Sequence, residues 1–203
     1  MIDIVLASNN SGKLAEMRDM LNEESYNIKT PVEFGLTSPE ETGKTFVENS
    51  IIKARHASLH TGLPSIADDS GLCIPALNCE PGIFSARYAG RCATDADNVS
   101  HLLLKMAGLR ETDRNGYFVC AMVYMRSAND ATPLIVQETW SGEILVTPQG
   151  SEGFGYDPVF YIPEYDCSAS ELDRSVKNQV SHRAKAMRKL LNDLDRSLES
   201  NKL

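Results

Sequence analysis

The chain lacks any apolar run approaching the about 18 residues that a membrane-spanning helix requires. Its opening residues, Met1-Ile2-Asp3-Ile4, show no basic stretch followed by an apolar one, so no secretory signal is expected and the cytoplasm is the expected compartment. The five cysteines, Cys73, Cys79, Cys92, Cys120 and Cys167, include no CxxC pair. That excludes the zinc and dithiol motifs built on such spacing and points to reduced, mainly structural thiols. Positive charge is also short: 20 Lys and Arg stand against 28 Asp and Glu, a net charge of −8. A broad basic face for a nucleic-acid polymer is disfavoured on that balance. A small phosphate ligand is still compatible, since a few local cations and a divalent metal suffice for it. No repeat or low-complexity segment interrupts the 203 residues, which suit a single domain, and a hydrophobic content of 42% supplies a core.

The apolar run Ile2 to Leu6 predicts a buried strand, and Lys13 to Leu21 a helix with Leu14, Met17 and Leu21 on one face. Thr45 and Glu48 form a capping box opening a second helix, with Gly62 near its end. A strand at Pro64 to Ala67 should give way to a polar turn, Asp68-Asp69-Ser70-Gly71, and Pro81 to Tyr88 to an irregular loop. Thr94 and Asp97 predict a further cap, for a helix carrying Val99, Leu102, Leu103 and Met106. Strands follow at Tyr117–Met125 and Leu134–Trp140, then at Glu143–Val146 after a tight Ser141-Gly142 turn. Ala184, Met187, Leu191 and Leu194 mark a last helix. Consecutive strands between helices predict an α/β protein with a mixed sheet.

Five constellations offer chemistry. Ser8-Asn9-Asn10-Ser11-Gly12-Lys13 lies between a strand and a helix, where small residues, backbone N–H groups and the positive dipole end favour an anion. It is not a Walker A loop, because the leading glycine is missing and Leu14 stands where Ser or Thr would hold magnesium. Asp68-Asp69 crowds two carboxylates that call for a cation. On a regular strand such neighbours face opposite ways, one toward metal and substrate and one supporting from behind; an Asx turn is the plain alternative. Glu40-Glu41, just before the second helix, is either a helix-dipole complement or a magnesium ligand, and Lys53 on that helix is either solvated or aimed at the same cleft. Gly153-Phe154-Gly155-Tyr156-Asp157-Pro158 frees the Phe154 ring to stack on a flat base, unless it is core. Lys177 with Ser181-His182-Arg183, at the start of the last helix, supplies donors for a purine carbonyl or simply a basic helix entrance. His56 and His60, at i and i+4, lack the zincin glutamate and read as structural.

Taken in order, these blocks resemble the inosine triphosphate pyrophosphatase family in its bacterial RdgB-type branch, the dITP/XTP pyrophosphatases. The match includes Leu6 to Lys13, Glu41-Thr42-Gly43, Glu48-Asn49, Lys53-Ala54-Arg55, Ala67 to Leu72, Pro81 to Tyr88, Gly153 to Pro158 and Ser181-His182-Arg183. One departure is Ser8-Asn9-Asn10, where many members carry Thr-Gly-Asn.

The resemblance implies an elongated mixed sheet flanked by helices, residues 1–203 forming one domain of two lobes around a nucleotide cleft, and a homodimer. It implies hydrolysis of non-canonical purine triphosphates (ITP, dITP, XTP) to monophosphate and pyrophosphate with Mg2+. Asp69 is then the general base and a metal ligand, Glu41 a further metal contact, and Asp68 a support or additional ligand. Ser8, Asn9, Asn10, Ser11, Gly12 and Lys13 hold the triphosphate, and Lys53 meets the departing pyrophosphate. Ser70, Phe154, Gly155, Tyr156 and Asp157 contact the nucleotide, and Lys177, His182 and Arg183 the base. Two other readings stay open: a related house-cleaning pyrophosphatase for modified pyrimidine nucleotides, and a nucleotide-binding module without turnover. The carboxylate-rich site argues against the second, because carboxylates are poor holders of a polyanion.

Overall fold

The computed structural model describes residues 2–21 and 25–200. In chain order the elements are β1 (Ile2–Leu6), α1 (Ser11–Met20), β2 (Tyr26–Lys29), α2 (Phe46–Thr61), β3 (Ser65–Ile74) and β4 (Glu80–Pro81). A 3-10 segment (Gly82–Arg87) precedes α3 (Asp95–Lys105), β5 (Asn115–Met125), β6 (Leu134–Ile144), β7 (Phe160–Ile162), β8 (Cys167–Ser168), α4 (Arg174–Val180) and α5 (His182–Ser200). The strands form one mixed sheet in the order β2-β1-β3-β5-β6-β7-β8, with β4 paired to β3. β1 runs parallel to β2 and β3, while β3–β4, β6–β7 and β7–β8 are antiparallel. Among the described residues no helix is long and apolar enough to cross a membrane.

The chain divides into two compact units. Unit 1 comprises Met1–Asp69, Cys120–Glu138 and His182–Leu203; unit 2 comprises Ser70–Val119 and Thr139–Ser181. In unit 1 strand alternation sorts the core onto two faces. Ile4, Leu6, Ile66, Cys120 and Met122 pack with Met17 of α1 and with Ala186, Met187 and Leu190 of α5. Val5, Ala7, Ala67, Val123 and Met125 pack with Ala54 and Ala57 of α2. Small residues let α2 lie close to the strands, and Ser50 Oγ donates to the Ala121 carbonyl at 2.8 Å. Unit 2 has its own core, in which Val99 and Leu102 of α3, with Met106 just past its end, meet Leu72, Phe118, Trp140 and Phe160. All five cysteines are free; burial raises the thiols of Cys73 and Cys120 to about 11 and about 12, which keeps them protonated and inert.

Both predicted capping boxes are present, Thr45 with Glu48 and Thr94 with Asp97. Three expectations are corrected. Asp68-Asp69-Ser70-Gly71 is not a turn: β3 continues through it, because apolar residues on either side are buried and the aspartates find partners inside. Ser141-Gly142 is not a turn either, and β6 ends at Ile144. Gly142 is small because β7 passes close by; a Cβ there would lie 2.5 Å from the Tyr161 carbonyl oxygen and 2.6 Å from the Phe160 ring. Lys177 does not sit on the last helix. It belongs to the separate α4, which stops at Ser181 in extended backbone before α5 begins at His182.

Candidate active site

Alternation along β3 separates the two aspartates. Asp68 shares the parity of Ile66 and so meets α1 and α5; Asp69 shares the parity of Ala67 and meets α2. Asp68 Oδ2 takes the Lys13 ammonium at 3.0 Å and the Arg183 guanidinium at 3.4 Å. Asp69 Oδ1 takes the Lys53 ammonium at 2.8 Å, and its Oδ2 accepts from Asn49 Nδ2 at 3.3 Å. Asn49 and Lys53 are one helical turn apart on α2, which brings both to the same carboxylate. Lys53 Nζ is also 2.9 Å from Glu41 Oε1, so a single ammonium bridges Glu41 and Asp69. Asn49 in turn accepts from Gly43 N at 2.9 Å, tying the segment that carries Glu41 to α2.

Four carboxylates, Glu16, Glu41, Asp68 and Asp69, are thus interleaved with three cations, Lys13, Lys53 and Arg183. Burial pushes the Asp69 carboxyl up by more than Lys53 and Lys13 pull it down. Lys53 is raised too: burial opposes its charge, but Asp69, Asp68 and Glu41 together outweigh it. Asp68 goes the other way. Burial opposes its ionisation, yet Lys13, Arg183 and Lys53 hold it well below the usual carboxylate range.

Lys13 is delivered by the turn after β1. Asn10 caps α1, its Oδ1 accepting from Lys13 N at 3.0 Å, and Ser8 Oγ accepts from Asn10 N at 3.2 Å. Asn9 is exposed and donates to Ser38 Oγ at 2.9 Å, while Ser11 is exposed and Gly12 half-buried at the helix start. Among the described residues no three His, Cys, Asp or Glu side chains are gathered into a ready metal cage. The donor set nevertheless fits a divalent ion. Glu41 and Asp69 already converge on one cation, and among the described residues the buried Asp68 Oδ1 has no hydrogen-bond partner. The His56 and His60 rings lie 4.5 Å apart between centroids, tilted by 60°, with His56 Nε2 3.1 Å from the Thr37 carbonyl.

In unit 2, Phe154 is half-buried on its loop, with Lys177 Nζ 5.1 Å from the ring centroid. Asp157 Oδ2 accepts from Phe154 N at 3.0 Å and from Lys177 Nζ at 2.6 Å. Gly153 sits at φ +81, and a Cβ there would collide with that same Asp157 oxygen, so this glycine is required twice over. Tyr156 is buried rather than presented outward, its hydroxyl donating to the Ser85 carbonyl at 2.9 Å. Ser70 continues β3, half-buried.

The structure thus gathers Lys13, Glu41, Lys53, Asp68, Asp69 and Arg183 within unit 1, and Phe154, Asp157 and Lys177 within unit 2. His182 is buried at the first position of α5. Arg183, expected at a base edge, is 2% exposed and ion-paired to Glu16 and Asp68. Glu16 was missed. Its signal was local: it lies three residues after Lys13 beside the apolar stripe of α1, where a carboxylate needs a buried partner.

An open mixed α/β sheet, with an anion-favouring strand–helix turn set against a lysine-bridged carboxylate cluster, defines a class of protein that handles phosphates. Within that class this chain belongs to the Ham1 family, whose model matches residues 4–193. It is 51% identical over 195 residues to a dITP/XTP pyrophosphatase of Idiomarina loihiensis, covering 94% of this chain and 96% of the other. A dITP/XTP pyrophosphatase of Vibrio cholerae is 49% identical over 192 residues, covering 95% and 96%. Among solved structures, a HAM1 protein from Coxiella burnetii superposes with a TM-score of 0.89 at 49% identity, covering 97% of this chain and 100% of that one.

Proposed function

We propose that this protein hydrolyses non-canonical purine nucleoside triphosphates, dITP, ITP and XTP, to the monophosphate and pyrophosphate. The observation that carries the reading is the Lys53 ammonium held between Glu41 and Asp69, beside the Asp68–Lys13 pair. Such a cluster holds cations over carboxylates that can also ligate a metal. The names of the full-length relatives support the substrate class.

Magnesium is the proposed ion; held by Glu41 and Asp69, with Asp68 in support, it would neutralise the triphosphate and polarise the phosphoryl group. Asp69, its basicity raised by burial, accepts a proton from water as the water oxygen bonds to the α-phosphorus. The α–β bridging P–O bond breaks, and Lys13 and Lys53 donate to the oxygens of the departing pyrophosphate. Asp68, kept ionised, holds Lys13 toward the Ser8–Gly12 turn that receives the phosphates. Phe154 offers a flat face for the base, with Ser70 and the Gly155–Asp157 backbone supporting the nucleotide.

Base choice falls to Lys177, beside the Phe154 ring, as a donor to the O6 acceptor of hypoxanthine or xanthine; Arg183, taken up by Glu16 and Asp68, is not assigned to the base. Adenine presents an amino group there, and each unpaired buried donor costs about 1–3 kcal/mol. A homodimer working in the cytoplasm belongs to the same proposal. Hydrolysis of inosine triphosphate in oxygen-18 water tests it: label should enter inosine monophosphate, with pyrophosphate released only when magnesium is present. Label in orthophosphate, with inosine diphosphate accumulating, overturns it.

A further inference from the structure

The loop that carries Phe154 is held by contacts within itself and by two residues outside the chemistry above, Ser85 and Asp95. Gly153 and Gly155 both lie at positive φ, +81 and +63, so the backbone on either side of the ring is intrinsically free to reorient. Three anchors remove that freedom. Asp157 closes the loop on itself by accepting from Phe154 N. The buried Tyr156 ring packs into the unit 2 core, and its hydroxyl reaches the carbonyl of Ser85; Ser85 Oγ in turn accepts from Leu72 N at 2.9 Å and donates to Gly82 O at 2.6 Å. The third anchor is Asp95, 60 residues away in sequence, whose Oδ2 accepts from Gly155 N at 2.7 Å.

Asp95 is the first residue of α3, but capping that helix is not its task. Thr94 and Asp97 form the box, with Thr94 Oγ1 accepting from Asp97 N and Asp97 Oδ2 accepting from Thr94 N. The Asp95 carboxylate is therefore directed away from its own helix, onto the peptide that follows Phe154. That contact restrains the peptide plane between Phe154 and Gly155, and the plane sets the direction of the ring.

We propose that Asp95 is a positioning residue for the nucleobase: it holds Gly155 N so that Phe154 presents its face in one orientation. This inference rests on the reading that Phe154 stacks on the base. A stacking face is used alike by bound substrate and transition state, so its misplacement should raise KM and leave kcat alone. Asp95→Ala should raise KM for inosine triphosphate about five- to tenfold, the scale of one lost hydrogen bond at the surface, with kcat within about twofold. Asp95→Asn keeps an acceptor oxygen and should bring KM back to within about twofold of wild type. The Asp95 side chain is at the surface, so the thermal midpoint of both variants should stay at the wild-type value.

Phe154→Ala and the double variant complete the test. If Asp95 acts through the ring, the double variant shows the KM of Phe154→Ala alone. A wild-type KM for Phe154→Ala means the base does not stack there, and the Asp95 inference falls with that reading. A raised KM for Phe154→Ala beside an unchanged Asp95→Ala overturns the positioning role alone. So do additive effects in the double variant, an Asn variant no better than Ala, or a lowered thermal midpoint without a change in KM.

Discussion

Adjacent in sequence, the Asp68 and Asp69 carboxyls are shifted in opposite directions: burial raises both, but Lys13, Arg183 and Lys53 together outweigh it at Asp68, while Lys53 and Lys13 do not at Asp69. Asp69 is raised by burial, so its ionised form costs folding free energy at neutral pH. Asp69→Asn mimics the protonated form. It should lower kcat by a factor of at least about 10² while keeping nucleotide affinity within about tenfold. Its thermal midpoint should equal or exceed that of wild type. Asp68 is depressed by Lys13 and Arg183, so its contribution is complete above the ordinary carboxylate range and disappears as pH falls through the lower folded value. Asp68→Asn leaves the buried Arg183 and the half-buried Lys13 facing a neutral amide and should cost about 3–5 kcal/mol at neutral pH. Urea melts of the two variants side by side check the opposite signs; an Asp68→Asn protein as stable as wild type would contradict the ion-pair account. Glu41 shares Lys53 with Asp69, and Glu41→Gln should raise the magnesium concentration giving half-maximal rate. An unchanged magnesium titration removes Glu41 from the metal site.

At the scale of elements, the connection from β5 to β6 is shaped by one carboxylate. Asp130 Oδ2 accepts from Arg126 N at 3.0 Å and Nε at 2.8 Å, and its Oδ1 accepts from Thr132 N at 3.0 Å. The Arg126 side-chain bonds, aided by these backbone donors, hold the Asp130 carboxyl below the usual range. Its stabilisation is thus present above about pH 4 and is lost as pH falls through the depressed value. Asp130→Asn should cost about 1–2 kcal/mol at neutral pH, moderated because the Arg126 side chain is 55% exposed, with kinetic constants unaltered. The gap in thermal midpoint from wild type should close in acid; a gap constant with pH would refute the assignment. Helix starts were legible where a capping box announced them, as at Thr45 and Thr94. The break between α4 and α5 was not, since Ser181 carries neither the proline nor the glycine that usually marks one.

Over the whole molecule, binding and stability are linked through mass action, because only the folded protein assembles the cluster. A non-hydrolysable inosine triphosphate analogue with magnesium, at about a hundredfold its Kd, should stabilise the protein by about 2.7 kcal/mol. The adenosine analogue at the same concentration should raise the thermal midpoint far less, and equal shifts would argue against purine selectivity. Local patterns in the chain were enough to determine the mixed α/β class, the capped helices, the strand–helix turn leading to Lys13, and the acidic pair as a place where a cation belongs. Periodicity, caps and charge crowding act over a few residues and are written in neighbouring positions. The partners of those charges were decided only by the fold. Arg183 meets Asp68 across 115 residues of sequence and Glu16 across 167, and Lys53 reaches both Asp69 and Glu41. Such pairings arise because sheet order and strand parity bring α1, α2 and α5 against successive residues of β3. A carboxylate pair that reads as a turn by composition becomes a buried strand once those cations supply the partners that its burial demands.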